Sequence, residues 1–203
     1  MTISTVFFDL AGVLLRWDSK PLYEELFPDA PDTRNYFVEK ILTTERLAEI
    51  ATGRKLRIVL SELKSVFPDY SHILEFWWER WDEMINADFP MTVDIAKRLR
   101  QTGIKTPILG NWSVEEFHRA KKRFNFLNDF SPILISGNLG IMKPDPAIFH
   151  QALTACGVEP CECVFVDDTF ANIQAAKRIG ITGLQFVNPP QLEKDLLHLG
   201  LKF

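Results

Sequence analysis

Five short apolar runs that each stop abruptly at polar residues constrain this chain more than any other feature. Thr5–Phe8 stops at Asp9, with Gly12 placed to allow a turn; residues 107–109 run into Gly110 and Asn111. Residues 132–135 run into Ser136, Gly137 and Asn138, and residues 163–166 end at Asp167 and Asp168. Residues 183–187 end at Asn188 and a Pro-Pro pair that reads as a stop. Runs that are apolar throughout suit strands buried on both faces of a parallel sheet. Between them lie apolar residues at helical spacing: Ile95, Ala96 and Leu99; Ile148, Phe149 and Leu153; Ile173, Ala176 and Ile179, the last closed by Gly180 as a left-handed stop. Strands alternating with helices imply right-handed crossovers, so the expected fold is α/β, a doubly wound and mostly parallel sheet.

Residues 17–88 break that alternation. They show no clear strand, but have amphipathic stretches around 22–27, 35–42, 56–66 and 72–85, punctuated by prolines. The expectation is a core domain of residues 1–16 and 88–203 with an inserted helical cap of residues 17–87. Phe76, Trp77, Trp78 and Trp81 weight one cap stretch heavily, and read as the filling of a small helical core rather than a cofactor stack. At 46% hydrophobic and 25% charged residues, the chain is neither disordered nor fibrous. No apolar run is long enough to span a membrane, and no basic segment leads into an apolar one at the N-terminus. Lysines and arginines are scattered and the net charge is −4, which argues against nucleic acid as a partner. Cys156, Cys161 and Cys163 are odd in number, and their spacing is too tight for a usual zinc site. They read as ordinary thiols in a reducing compartment, and the expected location is cytoplasmic.

In an open α/β sheet, ligands bind beyond the carboxyl ends of the strands. Asp9, Asn111, Ser136, Asp167 and Asp168 all fall at such ends, and Lys143 follows one in the loop Gly140-Ile141-Met142-Lys143-Pro144. Three carboxylates at one rim do not all ionise without compensating positive charge. Lys143 supplies one charge; a hard divalent ion such as Mg²⁺, held through oxygen, would supply the rest. A carboxylate so placed can act as a nucleophile. Taken singly, each residue is as well explained as a turn former or a helix cap. Taken together and in this order, they point to chemistry.

These segments resemble the motifs of the haloacid dehalogenase-like hydrolase superfamily. Residues 7–14, with Phe8-Asp9-Leu10-Ala11-Gly12, look like its first motif; residues 140–149 are similar to its lysine motif and residues 164–173 to its acidic motif. Residues 109–113, Leu-Gly-Asn-Trp-Ser, match its second motif in part. The resemblance spans the core and implies a Rossmann-like fold. It is nearest to the capped subgroup that holds small-metabolite phosphatases, 2-haloacid dehalogenases and the phosphatase domain of epoxide hydrolases. It implies Asp9 as nucleophile and metal ligand, the Ala11 carbonyl and Asp168 as further Mg²⁺ ligands, and Lys143 holding the nucleophile and the phosphoryl group. It implies Asp167 orienting Lys143 or a metal-bound water, Gly110 and Asn111 contacting substrate, and Asn172 bracing the acidic loop.

Two residues depart from the pattern. Many phosphatases of the superfamily have aspartate where this chain has Ala11, as general acid and base. The second motif normally opens with a hydroxyl residue where this chain has Gly110. The expected function is a Mg²⁺-dependent phosphatase of a small phosphorylated metabolite, working through an aspartyl-phosphate on Asp9. The alternatives are a 2-haloacid dehalogenase forming an ester on Asp9, and a catalytically weakened binding protein. Missing proton donation selects leaving groups that need none: acyl phosphates, anomeric sugar phosphates, aryl phosphates or halide. Arg16, Arg46, Arg54 and Arg57 are candidates to meet an anionic substrate, with a solvated face as the plainer reading. Monomer and homodimer both remain open.

Overall fold

The computed structural model describes residues 2–203. In chain order its strands are β1 (Thr5–Phe8), β2 (Leu15–Trp17), β3 (Ile85–Asp88), β4 (Ile108–Gly110), β5 (Ile133–Ile135), β6 (Cys163–Asp167) and β7 (Thr182–Gln185). Five of them form one sheet in the order β5-β4-β1-β6-β7, with every neighbouring pair parallel. The five apolar runs are these five strands. Helices α1 (Lys20–Leu26), α2 (Pro31–Tyr36), α3 (Thr44–Ala51), α4 (Leu56–Val66) and α5 (Ser71–Glu79) precede β3. Helices α6 (Pro90–Gln101), α7 (Val114–Arg123), α8 (Ser136–Leu139), α9 (Pro146–Cys156), α10 (Phe170–Arg178) and α11 (Pro189–His198) follow it.

The period of two along a strand explains why the runs are apolar throughout. Val6 and Phe8 join one core cluster, with Ile95 and Leu99 of α6 and Leu192 and Leu196 of α11. Phe7 joins the other, with Phe149 of α9 and Ile173 of α10. Each face of β1 therefore meets helices, and both faces are dry. The first cluster continues without a break into Leu22, Phe37, Leu74 and Trp77.

Two stretches differ from the sequence expectation. Residues 85–88 do form a strand, β3, paired antiparallel with β2 through Leu15↔Asp88 and Arg16↔Ala87. Four alternating residues, Ile-Asn-Ala-Asp, are too few to declare a strand by period alone. We propose that this ribbon is where the chain passes between the core of residues 1–16 and 88–203 and the helical cap of residues 17–87. Asn188-Pro189-Pro190 starts a helix instead of stopping the chain: Asn188 Oδ1 accepts the Gln191 N–H at 3.0 Å, and proline is tolerated at the first helical positions because those N–H groups have no partner anyway. Helix α7 carries a reciprocal cap that its sequence advertises, Ser113-Val114-Glu115-Glu116. Cys156, Cys161 and Cys163 are unpaired, with Cys156 and Cys163 buried.

Candidate active site

Strand β1 is central, flanked by β4 and β6, so the residues just past these three strands converge at one crevice. Asp9 follows β1, Gly110 and Asn111 close β4, and Asp167 ends β6 with Asp168 next. Lys143 reaches the same place from the loop between α8 and α9. Its Nζ lies 2.8 Å from Asp9 Oδ1 and 2.6 Å from Asp167 Oδ2, and 5.2 Å from the centre of the Phe165 ring. The Lys143 side chain is 1% exposed and that of Asp167 0%. A lysine this deep is stable only when paired.

Asp167 is fully committed. Its Oδ1 accepts from the Thr169 N–H at 2.8 Å, and the Asn172 amide lies 3.0 Å from each of its oxygens. Asp9 is committed on one side: Oδ1 also accepts the Leu10 N–H at 2.7 Å, whereas Oδ2 carries no hydrogen bond among the described residues. Burial pushes the Asp9 carboxyl up to about 7, against the pull of Lys143. Burial also works to lower the Lys143 pKa, but Asp9 and Asp167 outweigh it and the net movement is upward, so the ammonium stays charged. Asp168 is raised by burial and by Asp167.

The sequence-derived residues Asp9, Lys143 and Asp167 thus sit in direct contact, with Asp168 beside them. One oxygen from each of Asp9, Asp167 and Asp168 lies within 4.8 Å of the others. With Asp167 saturated, the free valence belongs to Asp9 Oδ2 and to Asp168, whose only side-chain neighbour at bonding distance among the described residues is the Thr169 hydroxyl at 3.3 Å. Raised carboxyls with unspent oxygens are what a hard cation relieves, so the donor set fits Mg²⁺. Gly12 makes room for the Asp168 carboxylate: at φ +83°, a Cβ there would stand 2.2 Å from Asp168 Oδ2.

Asn111 is placed differently from a free substrate contact. Its Nδ2 donates to the Lys143 carbonyl at 2.8 Å and its Oδ1 accepts the Lys143 N–H at 2.8 Å. The amide is thereby spent on clamping the lysine loop, although the residue still borders the crevice. At Gly110, a Cβ would lie 3.6 Å from Asp9 Oδ1 and 3.1 Å from Leu10 Cδ1, so a side chain here would project toward Asp9. Ser136 is buried and donates to the Ala51 carbonyl at 2.5 Å, which ties α8 to the end of α3. Arg46 caps the carbonyls of Lys40 and Ile41, Arg54 pairs with Glu49 and Glu62, and Arg16 stacks 4.8 Å over Phe89. None of them, nor Arg57, lines the crevice.

Two adjoining cavities open here. One of about 270 Å³ is lined by Asp9, Gly12, Lys143, Asp168 and Asn172. The other, about 360 Å³, lies toward the cap and is walled by Trp17, Trp77, Trp81 and Trp112. They share Ala11, Trp17 and Asn111. The second cavity was not visible in the sequence, which assigned Trp77 and Trp81 to filling only. Among the described residues, no helix is long and apolar enough to cross a membrane.

A family model for haloacid dehalogenase-like hydrolases matches residues 3–180. The sesquiterpene phosphatase astK of Aspergillus oryzae is 26% identical over 92% of this chain and 91% of its own. Flavin mononucleotide hydrolase 1 of Arabidopsis thaliana is 45% identical over 62 residues, 30% of this chain; the match spans only 25% of the plant protein. A Bacteroides thetaiotaomicron enzyme of the same family, solved with magnesium and inorganic phosphate, superimposes with a TM-score of 0.73 at 18% identity, over 92% of this chain and 95% of that one. A five-stranded parallel sheet with Asp9, Lys143 and Asp167-Asp168 at its carboxyl edge, matched by a family model over most of its length, makes this chain a member of the haloacid dehalogenase-like hydrolases, with phosphatases among its relatives.

Proposed function

We propose that the protein is a Mg²⁺-dependent phosphatase of a small phosphorylated molecule, with Asp9 as nucleophile. The observation that carries this reading is Asp9 Oδ2, unbonded at the floor of the crevice, while Oδ1 is pinned by Leu10 N–H and Lys143. Asp9, the Ala11 carbonyl and Asp168 would hold the cation, which when bound neutralises charge on the phosphoryl oxygens. The magnesium and phosphate bound by the Bacteroides enzyme support that reading.

Asp9 Oδ2 attacks phosphorus in line as the bond to the leaving oxygen breaks, giving an aspartyl-phosphate. Lys143 meets the charge spread over the equatorial oxygens, and its fixed position makes this mostly a matter of prior orientation. Water then attacks phosphorus, the P–O bond to Asp9 breaks, and inorganic phosphate leaves with the carboxylate restored. Asp167 and Asn111 hold Lys143 at opposite ends, by its ammonium and by its backbone.

No side chain at position 11 gives a proton to the leaving group or takes one from the attacking water. The second step is therefore the slow one, and acid-quenched enzyme should retain labelled phosphate after rapid mixing with acetyl phosphate. A linear course with no burst and no label would count against this order of steps. Ala11→Asp should raise turnover of alkyl phosphates by roughly 10–10³-fold, since positioned acid–base groups are worth about 10²–10⁴. Acetyl phosphate, whose leaving group needs no proton, should gain less, and equal gains on both would undo the explanation.

The pH dependence has a definite sign. Attack needs the Asp9 carboxylate, and burial holds this carboxyl at about 7. Turnover should fall as pH drops through that region. A cation on the same carboxylate favours its charged form, so excess Mg²⁺ should move the acid limb to lower pH. A limb that stays put from limiting to saturating Mg²⁺ would mean that Asp9 is not a ligand.

Ala11 also favours a second reading, halide displacement from a 2-haloacid, because halide departs without a proton. Dehalogenation that persists in EDTA would establish it.

A further inference from the structure

We propose that the tryptophan-walled cavity receives the leaving group of an aryl phosphate, an uncharged aromatic alcohol. The inference rests on the phosphatase reading above and adds to it the class of alcohol.

All five tryptophans of the chain form one connected cluster. Trp17 and Trp112 each approach Trp81 with ring centres 5.3 Å apart, Trp112 at right angles. Four of the five line the cavity, which at about 360 Å³ has room for roughly a dozen water-sized groups of ~30 Å³. Large apolar voids are unfavourable unless something fills them. Here the chain keeps the space open: α3 presents Ala48 and Ala51 to it, where a larger side chain would close it.

The cavity and the acidic crevice share Ala11, Trp17 and Asn111, so a phosphate at Asp9 and a group among the tryptophans belong to one ligand. Among the described residues the lining holds no lysine or arginine, and its one charged residue, Glu116, is tied to the Ser113 N–H at 2.8 Å. A second anionic group on the substrate would be desolvated there without a partner. The hydroxyl residues Ser19, Tyr23 and Thr44 complete the cavity's polar lining. Ala11 gives the same answer from the chemical side, because a phenolate departs without the proton that an alkoxide demands. Aromatic walls and a missing proton donor select the same alcohol.

The test compares kcat/KM for 1-naphthyl phosphate, phosphotyrosine and acetyl phosphate, with Mg²⁺ present. Both aryl esters leave as phenolates, but phosphotyrosine carries an ammonium and a carboxylate. Naphthyl phosphate should be preferred by roughly 100-fold, the scale on which an apolar pocket discriminates against an added polar group. Ala48→Leu, which fills space without charge, and Ala48→Arg should each lower the naphthyl-to-acetyl ratio by about 10-fold or more, with folding checked by thermal melting. Calorimetric titration with 1-naphthol should show binding to the wild type that both variants weaken. Acetyl phosphate turnover without naphthyl preference overturns this inference and leaves the phosphatase reading standing. No turnover of any of the three phosphates removes that reading, and the assignment of the alcohol falls with it.

Discussion

Asp9→Asn should abolish hydrolysis of p-nitrophenyl phosphate and acetyl phosphate, with a loss on the order of 10⁴-fold or more, the scale seen when a covalent nucleophile is removed. The substitution is nearly isosteric, so the effect is chemical. An amide retains the acceptor oxygen that meets Leu10 N–H and the Lys143 ammonium, but its nitrogen has no lone pair free to attack phosphorus. Lys143 keeps Asp167 as its partner at 2.6 Å, so the variant should fold. It should melt close to the wild-type temperature and form no labelled phosphoenzyme. Wild-type turnover that requires both Mg²⁺ and Asp9 supports the phosphatase reading; unchanged turnover in the variant would end it. Silence of the wild type on both esters, together with haloacid turnover, moves the nucleophile to carbon. Silence on all three favours a binding role, with Ala11 and Gly110 as the reason.

Lys143→Met should be the most destabilising substitution in the site. It removes the one cation among the described residues that is paired with Asp9 and Asp167, both buried. Breaking one side of a buried ion pair costs about 3–5 kcal/mol, which for a domain of this size is on the order of 10 °C in melting temperature. The pH dependence of that loss is set by Asp9. Without the ammonium its carboxyl rises further, and an acid whose pKa is raised on folding contributes less stability as pH increases through that pKa. The deficit relative to wild type should therefore shrink below about pH 7, where Asp9 takes up a proton. A deficit constant from pH 5 to 9 would show that packing, not charge, is at stake. Lys143→Arg separates the two roles: it keeps the charge but not the compact ammonium wedged between two carboxylates, so it should recover stability in part and turnover very little.

The acid machinery was legible in the chain because each of its members follows a strand. A run apolar on both faces must lie in the middle of a sheet, and a parallel sheet brings its carboxyl ends to one edge. That argument placed Asp9, Asn111, Ser136, Asp167 and Asp168 at one rim before any distance was known, with Lys143 in the loop after one such end; Ser136 alone turns away, spending its hydroxyl on the Ala51 carbonyl. The five sheet strands followed the same logic, as did α4 and α9, whose apolar spacing runs their full length. Less of the cap was legible. Helix α3 went unmarked because only its capping threonine and a single apolar stripe announce it, and β3 because four residues carry too little periodicity.

What a residue in the right place then does depended on neighbours distant in the chain. Asn111 was expected at the substrate and spends its amide on Lys143, 32 residues away, because the loop's backbone arrives at hydrogen-bond distance from both of its ends. Asn188-Pro189-Pro190 reads as a stop locally, yet the Leu192 and Leu196 stripe has the sheet to bury against and the helix starts there. The tryptophans state the difference most clearly. Trp17, Trp77, Trp81 and Trp112 come from β2, α5, the turn after α5 and the end of β4. Sequence patterning determines that such residues leave water, since apolar area drives burial whatever the partner. Whether they close on one another or stand around a space depends on the volumes set opposite them, here Ala11, Ala48 and Ala51, and only the assembled fold brings those residues face to face.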